Sequence, residues 1–209
     1  MRGFQAILFG LSAVVLAGAA QASVVAATQR SSIGAGYTVD WGALGVDQTD
    51  VGPTPSVGGV SVSGADTFMV FAAGTSYNAD FATGETVLAA FGANPSFELL
   101  FSSAVLSAGA QIQSNLFGAF AGLIEAFDSG NNSLGSFAVS GANAGNGDGS
   151  AVFAGIVSDA FDIKRLVFSG FGDGAAINAL SVGNVPEPGS LALLLAAAAA
   201  GVLVRRRQA

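Results

Sequence analysis

The chain has 209 residues, a formal net charge of −7, and neither cysteine nor histidine. These absences exclude histidine-based catalytic triads, thiol catalysis and zinc sites that use histidine or thiolate ligands. Only 7 lysine and arginine residues are present. Nucleic acid is therefore not an expected partner, because phosphate binding needs clustered basic side chains.

The first 22 residues have the three parts of a secretory signal peptide. Arg2 precedes an apolar stretch from Phe4 to Ala20, and an A-x-A cleavage site runs from Ala20 to Ala22. This order is typical of export signals. We therefore predict a signal helix over residues 1–22, with Ser23 as the first residue after signal peptidase acts. A buried N-terminal helix is the alternative.

Residues 23–184 are predicted to form one exported domain of the all-β class, a β-sandwich or jelly roll. Short strand-like segments recur about every 8 to 15 residues, separated by Gly, Asn, Ser and Pro. Segments 42–55 and 141–149 have loop composition, and no long amphipathic helix is visible between the two ends. The predicted strands are 37–41, 60–63, 67–71, 86–91, 96–101, 110–114, 117–127, 134–140, 150–157, 161–168 and 175–182.

This domain is strongly acidic. Arg30, Lys164 and Arg165 are its only basic residues, against 13 acidic ones, which gives a formal net charge of −10. Anionic surfaces would repel it. Divalent cations and neutral glycans remain open as ligands. Without cysteine, the exported fold has no disulfide and must depend on its apolar core.

Calcium is the best metal candidate, because it accepts carboxylate and carbonyl oxygens from loops. Asp128, Asn131 and Asn132 offer such oxygens in one turn, and Asn146 and Asp148 offer them in another. The alternative is that these residue types are present because they tolerate turn conformations. No other cofactor is predicted.

Two further functions depend on residues that the sequence cannot place in space. A glycoside hydrolase needs two carboxyl groups about 5 to 10 Å apart, and Glu85, Glu98 and Glu125 are candidates. Ser–Lys chemistry would have to use Lys164, the only lysine, and no signature surrounds it. No enzyme is therefore predicted.

Aromatic side chains could stack on sugar rings. Residues with a polar handle suit this role best, and Trp41, Tyr37 and Tyr77 are the only ones. A flat exposed strip containing one of them would favour glycan binding. Most of the 16 phenylalanines are expected in the core.

The C-terminal segment, residues 185–209, has three parts in a fixed order. Pro186, Glu187 and Pro188 are followed by an uncharged apolar run over residues 189–204 and by three arginines, Arg205, Arg206 and Arg207. The run is ~24 Å long as a helix, just short of a usual span. Basic flanks stay in the cytoplasm. The segment thus predicts a transmembrane helix behind a stiff, non-helical neck; a generic anchor helix is the alternative.

This tripartite order resembles the PEP-CTERM sorting signal of Gram-negative bacteria. The resemblance implies cleavage near the Pro-Glu-Pro motif by an exosortase, a membrane protease. Several internal segments, 123–130, 163–168 and 177–180, resemble jelly-roll, carbohydrate-binding-like domains that often precede such tails. In the last segment Asn178 and Ala179 stand where an Asp-Asn pair is common.

The function expected from these features is that of an exported, non-enzymatic structural or interaction protein. It would be held transiently in the inner membrane and then processed to the cell surface or extracellular space. The resemblance implies association with exopolysaccharide or a biofilm matrix. A carbohydrate-binding module is the main alternative, and a glycoside hydrolase is the next.

Overall fold

The computed structural model describes residues 23–184, which form a two-sheet β-sandwich. The predicted signal helix, the Pro-Glu-Pro neck, the predicted transmembrane helix and the arginine tail lie outside the described residues. Within residues 23–184, no helix is long and apolar enough to cross a membrane. The predicted all-β class is confirmed for this part of the chain.

The described residues contain strands of 2 to 11 residues and two short 3₁₀ helices. The 3₁₀ helices are Arg30–Ile33 and Trp41–Leu44. The strands are β1 (Val24–Ala27), β2 (Gly36–Val39), β3 (Thr49–Gly52), β4 (Ser56–Val57), β5 (Val60–Ser63), β6 (Thr67–Ala72), β7 (Thr86–Phe91), β8 (Phe97–Val105), β9 (Ser107–Ser114), β10 (Gly118–Phe127), β11 (Ser133–Asn143), β12 (Val152–Ser158), β13 (Ile163–Ser169), β14 (Gly174–Ile177) and β15 (Leu180–Gly183).

The strands form a 9-stranded large sheet and a 6-stranded small sheet. The large sheet has the order β1-β12-β9-β14-β7-β6-β3, and β15 joins it between β9 and β2. The small sheet has the order β11-β10-β13-β8-β5-β4. The strand pairs are antiparallel. Short turns join the antiparallel pairs β4–β5 and β10–β11.

The main core lies between the two sheets and follows the period of two that the sequence shows. In β8, Phe97, Leu99 and Phe101 are buried, whereas Leu100 between them faces solvent. Alternate residues of a strand point to opposite faces, so one row of each strand fills the core. Trp41 is fully buried in this core.

A second, smaller core covers part of the outer face of the large sheet. The long connection between β6 and β7 folds back over that face, and its Tyr77 and Phe81 pack against Val87 and Ala89 of β7. Burial raises the pKa of the Tyr77 hydroxyl, which donates a hydrogen bond to Asn115. The large sheet is therefore buried on both faces here, so β7 reads as a nearly continuous apolar strand.

Two strand predictions and one loop prediction are wrong in detail. The predicted strand 37–41 ends at Val39, because the Asp40 side chain accepts a hydrogen bond from the Gly42 N–H and caps the 3₁₀ helix that begins at Trp41. The predicted loop 42–55 contains β3, which pairs with β6. The predicted strand 175–182 is two strands, β14 and β15, interrupted at Asn178 and Ala179.

The two ends of the described domain lie at the same end of the large sheet. Val25 of β1 pairs with Val157, Val157 pairs with Ser107, and Ser107 pairs with Gly183 of β15. Three strand spacings separate β1 from β15 along this row, about 14 Å at ~4.8 Å each. The first and last strands of the described domain therefore begin and end on the same side of it.

Candidate functional site

The predicted processing residues lie largely outside the described part of the chain. Ala20 and Ala22 precede it, and the neck and arginine residues follow it. Ser23 is its first residue, and the Ser23 backbone N–H donates to an Asp159 carboxylate oxygen at 3.1 Å. The predicted cleavage site thus directly precedes a residue that is held to the folded domain.

The first predicted calcium turn is satisfied by its own donors. One oxygen of Asp128 accepts hydrogen bonds from the backbone N–H groups of Gly130 and Asn132, at 2.8 Å each. The Asn132 side-chain amide donates to both oxygens. The Asn132 side chain and backbone lower the pKa of the exposed Asp128 carboxyl. The geometry is that of a turn stabilised by an aspartate.

The positively charged side chain of Arg165 lies beside this turn. Asn131 adopts a left-handed conformation, with φ of 64°, and its side-chain oxygen accepts a 2.6 Å hydrogen bond from the Arg165 guanidinium. Arg165 also stacks on Phe127, 3.9 Å from the ring centroid, and forms an ion pair with Glu98 at 3.2 Å. A guanidinium in this position competes with a divalent cation for the same oxygens.

The second predicted calcium loop is separate from the first. One carboxylate oxygen of Asp148 accepts the Ser150 N–H at 3.0 Å, and Ser150 is the main cause of the lowered Asp148 pKa. Among residues 23–184, no group of three or more acidic side chains is arranged to hold a metal ion. Calcium binding at Asp128, Asn131 and Asp148 stays a prediction.

Asp80, which no sequence pattern marks, holds the Gly/Asn loop in place. Asp80 is only 3% exposed, and its two oxygens accept hydrogen bonds from the Ala144 N–H at 2.8 Å and the Asn146 N–H at 2.7 Å. The Gln113 amide donates to Asp80 at 2.8 Å and accepts from its backbone N–H at 2.7 Å. Burial tends to raise the Asp80 pKa, but these hydrogen bonds outweigh it and the pKa is lowered.

Asn178, which the sequence marks only as a departure from a common Asp-Asn pair, is the second buried polar residue with several partners. It is only 1% exposed, and its side-chain oxygen accepts hydrogen bonds from Arg30 and from the Gln111 backbone, each at 3.0 Å. Its amide donates to the Gln111 side chain at 2.6 Å and to Glu85 at 3.3 Å. The Trp41 indole donates to its carbonyl at 2.8 Å. These contacts explain why the strand breaks at this residue.

A groove of about 500 Å³ opens on the outer face of the large sheet beside this polar cluster. Arg30 and Gln111 line it together with Phe153, and the Arg30 guanidinium lies over the Phe153 ring at 5.5 Å. Arg30 is held in place by Asn178 and by the Ala179 carbonyl at 3.0 Å. The groove combines an aromatic ring with amide and guanidinium groups, which can stack on and donate hydrogen bonds to a polar ligand.

The residues proposed for sugar stacking do not form an exposed strip. Trp41 is 0% exposed and Tyr77 is buried in the smaller core. Tyr37 is 37% exposed and lines a different groove, which contains Phe161 and lies at the end of the domain where the chain leaves.

The candidate carboxylates are engaged within the fold. Glu98 and Glu125 both lie opposite Val167 of β13, so they share a row on the outer face of the small sheet. Glu98 pairs with Arg165, and Glu125 accepts a hydrogen bond from the Ser133 hydroxyl at 2.7 Å. Glu85 accepts from Asn178 and from the Ala82 N–H.

Comparison with known proteins places one functional element in this chain. Residues 184–208 match the model of the PEP-CTERM protein-sorting motif. This confirms the resemblance seen in the sequence, and the motif implies export. The matched model describes a sorting motif and not a catalytic domain.

One solved structure with a remote likeness to this chain is a carbohydrate-binding module. CsCBM6-3 from Clostridium stercorarium, a carbohydrate-binding module solved in complex with cellobiose, aligns over 56% of this chain and 82% of its own length. The identity is 16% and the TM-score 0.33, and we draw nothing about ligands from so low a score. No curated protein matches the chain.

The PEP-CTERM motif begins where the sandwich ends. β15 stops at Gly183, and the match starts at residue 184. Gly183 is packed too tightly for a side chain, since a Cβ atom there would lie 2.0 Å from the Ile33 carbonyl oxygen. The point from which the sorting motif leaves the domain is therefore fixed by the fold.

Proposed function

We propose that this chain is an exported, non-enzymatic protein whose folded domain is delivered to the cell surface or extracellular matrix. The match of residues 184–208 to the PEP-CTERM motif carries the proposal. In this scheme the C-terminal segment holds the protein in the membrane until an exosortase-type protease cuts near Pro186–Pro188. Signal peptidase removes residues 1–22 at the other end.

The position of the chain ends supports this route. Val25 and Gly183 lie in one row at the same end of the large sheet. Membrane segments on both ends would therefore hold the domain by one side and leave the opposite side free. A domain held in this way can fold before either segment is removed.

The net negative charge of the domain favours neutral partners over anionic ones. Its 13 acidic residues outnumber its three basic ones, so it would be repelled by anionic surfaces but not by neutral polysaccharide. We propose association with exopolysaccharide as the working role, with the domain acting as a matrix or interaction component.

The mass of the mature protein tests the sorting role. In cells that carry an exosortase, the wild-type protein is expected to lose residues 191–209. Replacing Pro186, Glu187 and Pro188 together with alanine is expected to leave the protein inserted but uncut, because the protease needs the motif. Neutral replacements of Arg205–Arg207 serve as the matched control, since they weaken orientation without changing the cleavage motif. If the alanine variant is cleaved as efficiently as the wild type, the C-terminal segment is only a membrane anchor.

Carbohydrate binding is the second candidate, and the groove beside Arg30 is the observation that favours it. Binding of neutral glycans can be measured by affinity electrophoresis of the domain and its variants. Phe153→Ala is expected to reduce migration shifts, because it removes the only ring that lines this groove. Phe117→Ala is the control, since Phe117 is an exposed ring that does not line the groove. If Phe153→Ala shows the same glycan-dependent migration shift as the wild type, the glycan does not bind in this groove.

Glycoside hydrolase activity can be assayed on the same glycans. We expect no turnover, because Glu98 and Glu125 lie on a sheet face with partners of their own. Turnover that is abolished by Glu98→Gln or Glu125→Gln would overturn the non-enzymatic assignment.

A further inference from the structure

A groove of about 420 Å³ lies at the end of the domain from which the sorting motif leaves. Asn184, the last described residue, lines it together with the Ser102–Val105 end of β8. Two aromatic side chains, Tyr37 and Phe161, complete the lining and remain 37% and 49% exposed. Exposed aromatic rings in a groove are typical of a docking surface.

The exit of the chain into this groove is fixed by hydrogen bonds. The Leu106 N–H donates to the Gly183 carbonyl at 3.0 Å, and the Asn184 N–H donates to the Ala35 carbonyl at 3.2 Å. The next four residues, Val185 to Pro188, span about 13 Å when extended, at ~3.3 Å each. Residues before proline favour this extended geometry. A segment that starts on the groove wall can therefore reach along it.

The chemistry of the groove matches that of the neck. Aromatic-lined grooves bind extended proline-rich segments, because the proline rings pack on the aromatic faces and little conformational entropy is lost. The Lys164 ammonium donates to the Ser102 carbonyl at 2.8 Å and so places a cation at the edge of the groove. Glu187 is the only acidic residue after Asp173.

We propose that the groove is the docking site of the chain's own Pro-Glu-Pro neck, residues 185–188. In the docked state Pro186 and Pro188 pack against Tyr37 and Phe161, and Glu187 lies near Lys164. Docking holds the cleavage motif against the folded domain, so the protease receives it in one extended conformation. The proposal concerns the uncut chain and goes beyond the sorting role, which needs only the motif itself.

Disulfide trapping in the uncut chain tests docking, because the natural sequence contains no cysteine. The double variant Ser103→Cys/Gly189→Cys places one thiol in the groove and one just after the neck. The matched control is Ala35→Cys/Gly189→Cys, since Ala35 is exposed and hydrogen-bonded to Asn184 but does not line the groove. The full chain is oxidised in detergent without any exosortase, so the result does not depend on processing.

Docking predicts that the Ser103 pair closes roughly tenfold faster than the Ala35 pair, because docking raises the local concentration of the second thiol. Equal rates, or a faster Ala35 pair, would overturn the proposal. A Lys164→Glu replacement in the Ser103 pair is expected to slow closure, and adding Glu187→Lys is expected to restore it. If adding Glu187→Lys does not restore the rate of disulfide closure, Glu187 does not lie near Lys164 and the proposed docked position of the neck is wrong.

Two other occupants give distinct results, and both would overturn the proposal. A second copy of the chain would yield disulfides between chains instead of within one chain. A lipid surface would protect the single variant Ser103→Cys from a water-soluble maleimide only when vesicles are present. A docked neck protects Ser103→Cys in detergent and in vesicles alike, and this protection is lost when Tyr37 and Phe161 are both replaced by alanine.

Discussion

Two Gly/Asn-rich regions of the domain look alike in sequence but are held together differently. The turn 128–133 is organised by Asp128, whose donors lie two and four residues away. The loop 144–151 is organised by Asp80, whose donors Ala144 and Asn146 lie 64 and 66 residues away. The hydrogen bonds of the first region join residues that are close in the sequence, whereas those of the second join residues that are far apart in the sequence.

The difference lies in what happens to the donors when the carboxylate is removed. The donors around Asp128 are exposed and can turn to water. The hydrogen bonds that Asp80 accepts from Ala144 and Asn146 are partly buried, and the one that it accepts from the Gln113 amide is fully buried. A buried donor that loses its acceptor keeps the full desolvation cost, whereas an exposed donor does not. We therefore expect substitution of Asp80 to lower the stability more than substitution of Asp128.

Asp80→Ala is expected to give the largest loss of stability. It leaves the N–H groups of Ala144 and Asn146 and the Gln113 amide without their acceptor, at a cost of about 3 kcal/mol in the free energy of unfolding. Urea unfolding followed by circular dichroism measures this change. A loss no larger than that of Asp128→Ala would show that water replaces Asp80 and that the loop is not anchored through it.

Acid sensitivity should differ between wild type and Asp80→Asn. The Asp80 pKa is lowered in the folded state, although burial acts against this. Its stabilisation is therefore present above the unfolded pKa of ~3.9 and is lost as the pH falls through the lower folded pKa. We expect the urea midpoint of Asp80→Asn to fall less between pH 7 and pH 3 than that of wild type.

Part of the acid sensitivity is expected to remain in Asp80→Asn. The pKa values of Asp47, Asp50, Asp128 and Asp148 are also lowered by hydrogen bonds. If the urea midpoints of wild type and Asp80→Asn fall equally between pH 7 and pH 3, Asp80 is not charged in the folded state or does not cause most of the loss of stability in acid.

Asp128→Ala is expected to have a small effect on stability. Its donors are exposed, and the stacking of Arg165 on Phe127 and the Arg165–Glu98 ion pair do not involve Asp128. The measurement is the same urea titration, with Asp128→Asn as the control that keeps one acceptor oxygen. A destabilisation as large as that of Asp80→Ala would erase the distinction between the two regions.

Calcium is expected to have the smallest effect of all. Millimolar calcium should shift the melting temperature by less than about 1 °C, because the oxygens of Asp128 already accept turn hydrogen bonds and Arg165 occupies Asn131. A larger shift that disappears in Asp128→Asn or Asp148→Asn would establish the predicted calcium site.

Much of the fold could be predicted because it depends on neighbours in sequence. The period of two in segments such as 60–63 and 97–101 identifies strands directly. The candidate site was less predictable. Trp41 was considered as an exposed sugar platform, but its indole is buried and donates to the Asn178 carbonyl, 137 residues away. No local pattern signals such a partner.

The sequence by itself determined the all-β class of the described domain and the sorting motif at residues 184–208, because both depend on residue order over short stretches. Only the tertiary structure decided that Asp80 anchors the Gly/Asn loop and that Asn178 joins Arg30 to Glu85. The physical reason is that a buried polar group needs a hydrogen-bond partner of matching geometry, and in an antiparallel sandwich that partner comes from strands and loops far away in the chain.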